Sequence, residues 1–260
     1  MYKTIKLEVS DGIAVLTLDN PKKLNTLNRQ TITELYDALD AVESDNNIRV
    51  LLTWGGENLF GAGADIGDVV GEAPTAYDGY KFSRKLQVLF NRIENLPIPT
   101  IAAMGGYALG GCLEMALAFD IRIASQNAKV GLPELNLGVI PGGGGTQRLP
   151  RLIGVGAAKE FMFKGKNVSA QEAYRLGIVN QVVEEGTLLA EGMKLANQFA
   201  EKPPIAVAML KNVINTGISL DINLAMEQEA KSFGLLFSTK DLMEGTTAFK
   251  EKRKPKFIGR

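Results

Sequence analysis

Two glutamates stand out because each is alone among apolar residues. Glu114 is the only charge in Gly111-Cys-Leu-Glu-Met-Ala-Leu-Ala118, so burial on all sides is expected. A buried carboxylate without a partner holds its proton more tightly than one in water. An ion pair with Arg122 or Arg148 is the competing explanation, since pairing also brings glutamates inside. Glu134 is the only charge between Lys129 and Arg148. Taken singly it reads as a loop carboxylate facing water. Taken together, two such groups in one core could hold a water between them and share protons unequally.

The glycines add a second kind of chemistry. Gly110-Gly111 opens the helix that carries Glu114, where backbone N–H groups have no intrahelical partner. A glycine there lets a substrate approach the backbone closely. The loop Gly61-Ala-Gly-Ala64-Asp65-Ile66 offers another N–H, and two aimed donors make an oxyanion hole for a carbonyl. A tight turn is the ordinary explanation for either loop. Nucleotide binding fails on spacing. Gly61-Ala-Gly63 has no glycine at 66, and Gly142–Gly145 is not followed by Lys-Ser/Thr. Cys112 reads as a small packed residue beside the helix start. The run Lys250, Lys252, Arg253, Lys254, Lys256 reads as a solvated tail or a phosphate contact.

Composition narrows who can move protons. The chain has no histidine and one cysteine, which excludes Ser-His-Asp and Cys-His nucleophiles, an internal disulfide and a cysteine-built zinc site. Acid–base work near neutral pH then falls to carboxylates, Lys, Tyr or Cys112. With 29 basic and 29 acidic residues, no overall field recruits nucleic acid or a membrane. At 260 residues the chain makes one large domain or two small ones, with a core that needs no metal.

The elements that must position these groups follow from periodicity. Ile5–Val9 and Ile13–Leu18 read as strands joined at Asp11-Gly12. Asn28 caps a helix reaching Ser44, with Ile32, Leu35, Leu39 and Val42 on one face. Ile48–Trp54 is a buried strand and Tyr77–Glu94 a helix with Phe82, Leu86, Leu89 and Ile93 in line. Ile98–Met104 is a strand, Gly111–Ala118 a helix and Ile121–Ala124 a strand, with glycine-rich loops at Gly61–Gly67 and Gly138–Gly145. From Gly154 onward the pattern is almost wholly helical. Alternation up to about residue 140 implies an α/β core. The longest uncharged run, Asn95–Leu113, is broken by prolines and glycines, so neither half spans a bilayer. The start has no signal-peptide core, and a cytoplasmic protein is expected.

The whole chain resembles the enoyl-CoA hydratase (crotonase) family. The matching strings are Phe60-Gly-Ala-Gly-Ala-Asp-Ile66, Gly106-Tyr-Ala-Leu-Gly-Gly-Cys-Leu-Glu114, Pro133-Glu134 and Gly138-Val-Ile-Pro-Gly-Gly-Gly-Gly-Thr-Gln-Arg-Leu149. Asn20-Pro-Lys-Lys-Leu-Asn25, Ala173-Tyr-Arg-Leu-Gly-Ile-Val179 and Glu244-Gly-Thr-Thr-Ala-Phe-Lys-Glu-Lys-Arg-Lys-Pro255 add support in the same order. The helix start differs from many members in having Gly-Gly-Cys-Leu-Glu for Gly-Gly-Gly-Cys-Glu, which keeps the spacing from Gly111 to Glu114.

The resemblance implies a spiral of repeated β-β-α units over residues 1–200 and a helical trimerisation region over 201–260. It implies an acyl-CoA substrate, with the thioester oxygen on the N–H groups of Ala64 and Gly111. Glu114 would activate water for attack on C3, Glu134 would protonate C2, and Gly142 would help position the water. Ala62, Asp65 and Ile66 would line the substrate site. Phe233 and Lys252 would meet CoA from a neighbouring subunit, and Lys22 and Lys23 would lie near its phosphate entrance. Val69–Tyr80 and parts of the 161–164 region would line the acyl tunnel. No metal and no cofactor apart from the substrate's own coenzyme A is expected, nor a nucleic-acid partner. The partners expected are an acyl-CoA and copies of the chain, as a trimer or dimer of trimers. Keeping both glutamates favours hydration. A Δ3,Δ2-enoyl-CoA isomerase and a non-catalytic acyl-CoA- or RNA-binding relative are the alternatives.

Overall fold

The computed structural model describes residues 2–65, 67–68, 71 and 75–260. β1 (Ile5–Ser10) and β2 (Ile13–Leu18) form an antiparallel hairpin closed at Asp11-Gly12. Both turn residues have positive φ, 50° and 76°, which a two-residue hairpin requires and Asp-Gly tolerates. β2 pairs in parallel with β3 (Val50–Trp54), and the sheet continues through β5 (Thr100–Met104), β7 (Ile121–Ser125) and β10 (Gln181–Val183), all parallel.

Strands of this sheet read as unbroken apolar runs because both faces are covered. Leu51 turns toward one core with Ile32, Leu35 and Leu39 of α1 (Arg29–Ser44) and Leu86, Leu89 and Phe90 of α2 (Ala76–Asn95). Its neighbours Val50 and Leu52 turn toward the other core with Leu188 and Ala196 of α7 (Leu188–Ala200). Asn28 caps α1 through the Thr31 N–H, and Thr75 with Asp78 forms a capping box on α2.

A second sheet has the order β4 (Leu59–Gly61), β6 (Tyr107–Leu109), β8 (Lys129–Gly131), β9 (Val168–Ser169). Along the chain β3 is followed by β4, β5 by β6 and β7 by β8. Each turn of the chain thus gives one strand to each sheet, and α2 and α3 (Gly111–Ala116) follow the first two turns. This is the β-β-α spiral expected.

The periodicity missed this second sheet, and it missed β9 and β10 in the part read as almost wholly helical. Strands of two or three residues are too short to show alternation. They exist because neighbouring turns of the spiral bring their backbone groups into register. The rest of that part is helical: α4 (Gly145–Ile153), α5 (Val155–Lys164), α6 (Ala170–Leu176), α7, α8 (Pro204–Gly217), α9 (Ile222–Leu236) and α10 (Lys240–Glu251). Among the described residues no helix is long and apolar enough to cross a membrane.

α8 is fastened to the core by Lys211, whose ammonium donates to Asp120 at 2.8 Å and to the Ile98 carbonyl at 3.0 Å. A cavity of about 650 Å³ opens beside it, lined by Leu117, Phe119, Ile121, Leu210 and Ile214 among others; neither glutamate lines it. α8, its C-cap Ile218 and α9 leave Leu210, Ile214, Ile218, Ile222, Leu224 and Met226 exposed.

Arg122 serves the α3 element itself. It is buried, and its guanidinium donates to the carbonyls of Phe119 at 2.6 Å and Ile178 at 2.7 Å, with a longer bond to Ala116 at 3.5 Å. A cation at the carbonyl end of a helix is favoured, and here it also satisfies carbonyls that water cannot reach. Arg122→Met should therefore destabilise the fold by about 2–4 kcal/mol, because the stranded carbonyls lose charged hydrogen bonds. Chemical unfolding against the wild type measures this, and an unchanged midpoint would contradict it.

Candidate active site

α3 is a single buried helix of Gly111–Ala116 that begins where β6 ends. Gly110 makes the junction with φ 49° and ψ −130°, a conformation closed to residues with a Cβ. Glu114 sits one turn in and is 2 % exposed. Its Oε1 accepts from the N–H of Gly143 at 2.8 Å and of Gly145 at 2.7 Å. The arginine pairing weighed from sequence is not found. Arg122 binds carbonyls, and Arg148 binds Glu94 at 2.5 Å and Asn91 at 2.7 Å. Burial raises the pKa of Glu114, opposed by the N–H donors of Gly145 and Gly143, the field of Arg148 and the Gly142 N–H.

The glycines of this loop are dictated by space. A Cβ on Gly143 would lie 2.6 Å from the Phe90 ring and 2.9 Å from Glu114 Oε2. One on Gly145 would lie 3.0 Å from Glu114 Oε1. Only a bare backbone reaches the carboxylate closely enough to donate to it.

Glu134 starts a 3-10 turn, Glu134–Leu137, after β8. Both its carboxyl oxygens are buried with no hydrogen-bond partner. The expectation of a loop carboxylate facing water is therefore wrong for the carboxyl. The turn is on the loop, but its head points inward to Gly110, where a Cβ would lie 3.3 Å from Oε1. Burial first, and then the charge of Glu114, push its pKa up to about 7.

The donor pair also comes together. A Cβ on Gly111 would lie 3.5 Å from the Ala64 nitrogen, and one on Gly63 would lie 3.6 Å from the Gly111 nitrogen. Leu27 pairs with the flanking Gly63 carbonyl and Asp65 N–H, and Ala64 faces away from those bonds. Among the described residues neither the Ala64 nor the Gly111 N–H has an acceptor. Cys112 fastens the loop: its Sγ accepts from Gly63 N–H at 3.4 Å, and burial pushes the thiol up to about 12. An inert thiol of this kind is a packing and hydrogen-bonding group.

Two carboxyls in unlike surroundings and two idle donors in the same cleft suit addition or removal of a proton beside a carbonyl. The family model described as enoyl-CoA hydratase/isomerase matches residues 8–260. The chain belongs to the enoyl-CoA hydratase/isomerase family. It is 44 % identical over 260 residues to a crotonyl-CoA hydratase of Syntrophomonas wolfei, covering 100 % of this chain and 99 % of that protein. It is 44 % identical over 249 residues to a short-chain-enoyl-CoA hydratase of Clostridium acetobutylicum, covering 95 % of each. The crystal structure of an enoyl-CoA hydratase from Bacillus anthracis superposes with a TM-score of 0.95 at 38 % identity, over 99 % of this chain and 100 % of that one.

The other positions drawn from the family resemblance divide by location. Ala62 donates its N–H to the Leu24 carbonyl, which lays the exposed turn with Lys22 and Lys23 beside the Ala64 loop. Asp65 Oδ1 accepts from the Asp68 N–H and closes the loop's far end. Ile66 lies outside the described residues, as do Val69, Val70 and 72–74 of the expected acyl tunnel. In the second tunnel stretch Phe161 is buried in the core and Phe163 is exposed. Phe233 is exposed on α9, its ring edge-on to Phe237, and Lys252 is exposed just past α10. Among the described residues no hydrogen bond, ion pair or ring contact joins either to the glutamates.

Asn25 and Phe90 belong to the site, although the residue patterns alone gave neither a role. Asn25 is buried at φ 50° and binds the Phe60 carbonyl, holding the donor loop. Its signal was present in the motif from Asn20 to Asn25, without a spacing that names a partner. Phe90 reads as one more apolar core residue until the Gly143 backbone is seen against its ring. Gly143→Ala should cost about 100-fold in turnover, the scale of an ångström misplacement, with secondary structure retained. Steady-state kinetics with circular dichroism checks this; turnover within a few-fold of wild type would show that the loop can move away freely.

Proposed function

We propose that the chain is an enoyl-CoA hydratase, adding water across the 2,3 double bond of a 2-enoyl-CoA to give a 3-hydroxyacyl-CoA, with short acyl chains preferred. The observation that carries this is the contrast between the glutamates. Glu114 has two backbone N–H groups on Oε1, which oppose the rise in pKa that burial gives it. Glu134 has no partner on either oxygen and a pKa pushed up to about 7, which favours its acid. The names of the relatives at 44 % identity support the chain-length preference.

The steps balance without a further reactant. The thioester oxygen accepts from Ala64 and Gly111, where enolate charge builds. Glu114 takes one proton from water as the hydroxyl bonds to C3, and the C2–C3 π electrons move onto the enolate. Glu134 then gives its proton to C2. The proton on Glu114 passes back to Glu134, through a water, before the next cycle. Each N–H donor is worth about 3 kcal/mol to such a charge in comparable sites.

Phe233 and Lys252 are assigned to CoA across a subunit boundary, and Lys22 and Lys23 to its phosphate entrance. Residues 201–260 serve as the assembly region of a trimer or dimer of trimers. The run of exposed apolar side chains from Leu210 to Phe237 supports that assignment.

Glu114→Gln and Glu134→Gln should each lower crotonyl-CoA hydration by roughly 10²–10⁴. The double variant should cost far less than their product, because both act on one water. Since hydration needs the acid form of Glu134, kcat/KM should fall as pH rises through about 7. Near-normal hydration by either variant, or an isomerised enoyl-CoA with no 3-hydroxyacyl product, would overturn the assignment. Light scattering at micromolar concentration should give a mass of three or six chains, and a monomer would remove the assembly.

A further inference from the structure

We propose that Ser83 and Gln87 are positioning residues for Glu114, acting through the Gly142–Gly143 peptide. The inference rests on the acid–base reading of Glu114. Ser83 Oγ donates to the Gly142 carbonyl at 2.7 Å. Gln87 Nε2 donates to the same oxygen at 3.0 Å and to Ser83 Oγ at 3.0 Å. Arg84 donates to Gln87 Oε1 at 2.7 Å, which leaves the amide nitrogen to face the loop. The other end of that peptide is the Gly143 N–H, which donates to Glu114 Oε1 at 2.8 Å.

A peptide unit is planar, so holding its oxygen at one side sets the direction of its N–H at the other. Bonds accepted by the carbonyl also polarise the unit and strengthen the N–H as a donor. Glycines on both sides of this peptide leave its rotation otherwise cheap. The loop has no helix or strand to orient it before α4 begins at Gly145. Ser83 and Gln87 are four apart on α2, and Phe90, Asn91 and Glu94 continue that side of the helix. Phe90 packs against Gly143, while Asn91 and Glu94 hold Arg148, which donates to the Gly143 carbonyl at 3.2 Å. One stripe of α2 thus fixes two successive carbonyls of the loop that binds the carboxylate.

The charged and titratable groups around Glu114 are Arg148 from α4, itself paired with Glu94 of α2, Glu134 from the 3-10 turn, and Cys112 on α3. None is altered by substitution at 83 or 87. The double variant Ser83→Ala/Gln87→Met removes both bonds to the Gly142 oxygen with little change of volume, and Ser83→Thr keeps a hydroxyl. In crotonyl-CoA hydration the double variant should lose about 3–10-fold in kcat, the scale of one or two hydrogen bonds, with KM little changed. A weaker N–H donor favours the acid form of Glu114, so the acid limb of kcat/KM should move to higher pH. A carbon-13 NMR titration of the Glu114 carboxyl, assigned with Glu114→Gln, should move the same way without any turnover. Ser83→Thr should stay near wild type in both. An unmoved acid limb and an unmoved carboxyl midpoint would overturn the proposal, even with a lowered melting temperature, because a packing role alone predicts that result. If the wild type hydrates nothing, the hydratase reading falls, and the NMR midpoint still decides whether these residues tune Glu114.

Discussion

Glu114 is held inside the protein by backbone. Its carboxylate has lost nearly all contact with water, and the N–H groups of Gly143 and Gly145 are its close partners. A buried carboxylate met by an arginine would be a settled ion pair with a low pKa and little basicity. Met by neutral dipoles, it keeps a pKa that burial holds above the ordinary carboxylate range. Much of the local architecture answers this single requirement: a glycine loop thin enough to approach, α2 to hold that loop, and Arg148 turned aside to Glu94 and the Gly143 carbonyl.

The spiral supplies the second requirement, which is convergence. Glu114 and Gly111 come from the turn containing β5 and β6, Ala64 from the turn before, and Glu134 from the turn after. The second sheet aligns these successive turns edge to edge through β4, β6 and β8. Three segments separated by scores of residues therefore end in one cleft. Short strands suffice because each needs only to fix the register of the loop that follows it.

In a chain without histidine, the two glutamates of the cleft sit in unlike surroundings. The Glu134 carboxyl oxygens are buried without a partner, and Glu114 is buried and partnered. Burial raises the pKa of Glu134, and the charge of Glu114 adds to the rise. The donor loop is secured just as tightly by ordinary groups. Asn25 binds the Phe60 carbonyl, Cys112 binds Gly63, and Leu27 pairs beside Ala64. Among the described residues these contacts leave the Ala64 and Gly111 N–H groups without an acceptor.

The long elements were legible in the residues. The hairpin at Asp11-Gly12, the capped helix from Asn28, the apolar stripe of α2 and the buried strands at Val50 and Thr100 all announce themselves through turn chemistry and periodicity. So did the two lone carboxylates, since an isolated charge in an apolar run is a local pattern, and motif resemblance supplied the family. The orientation of Glu134 was not legible, because a turn carboxylate can face either way until β8 and Gly110 are set beside it. The strands of two and three residues were hidden because their only cause is pairing with distant segments. Ser83 and Gln87 look like ordinary polar positions beside a helix's apolar stripe, and their meaning depends on a carbonyl 59 and 55 residues away. Sequence alone determined which groups could do chemistry, since that is a property of side-chain type and near neighbours. Tertiary structure decided their pKa values and aim, because burial and hydrogen bonding are set by atoms the chain brings in from elsewhere.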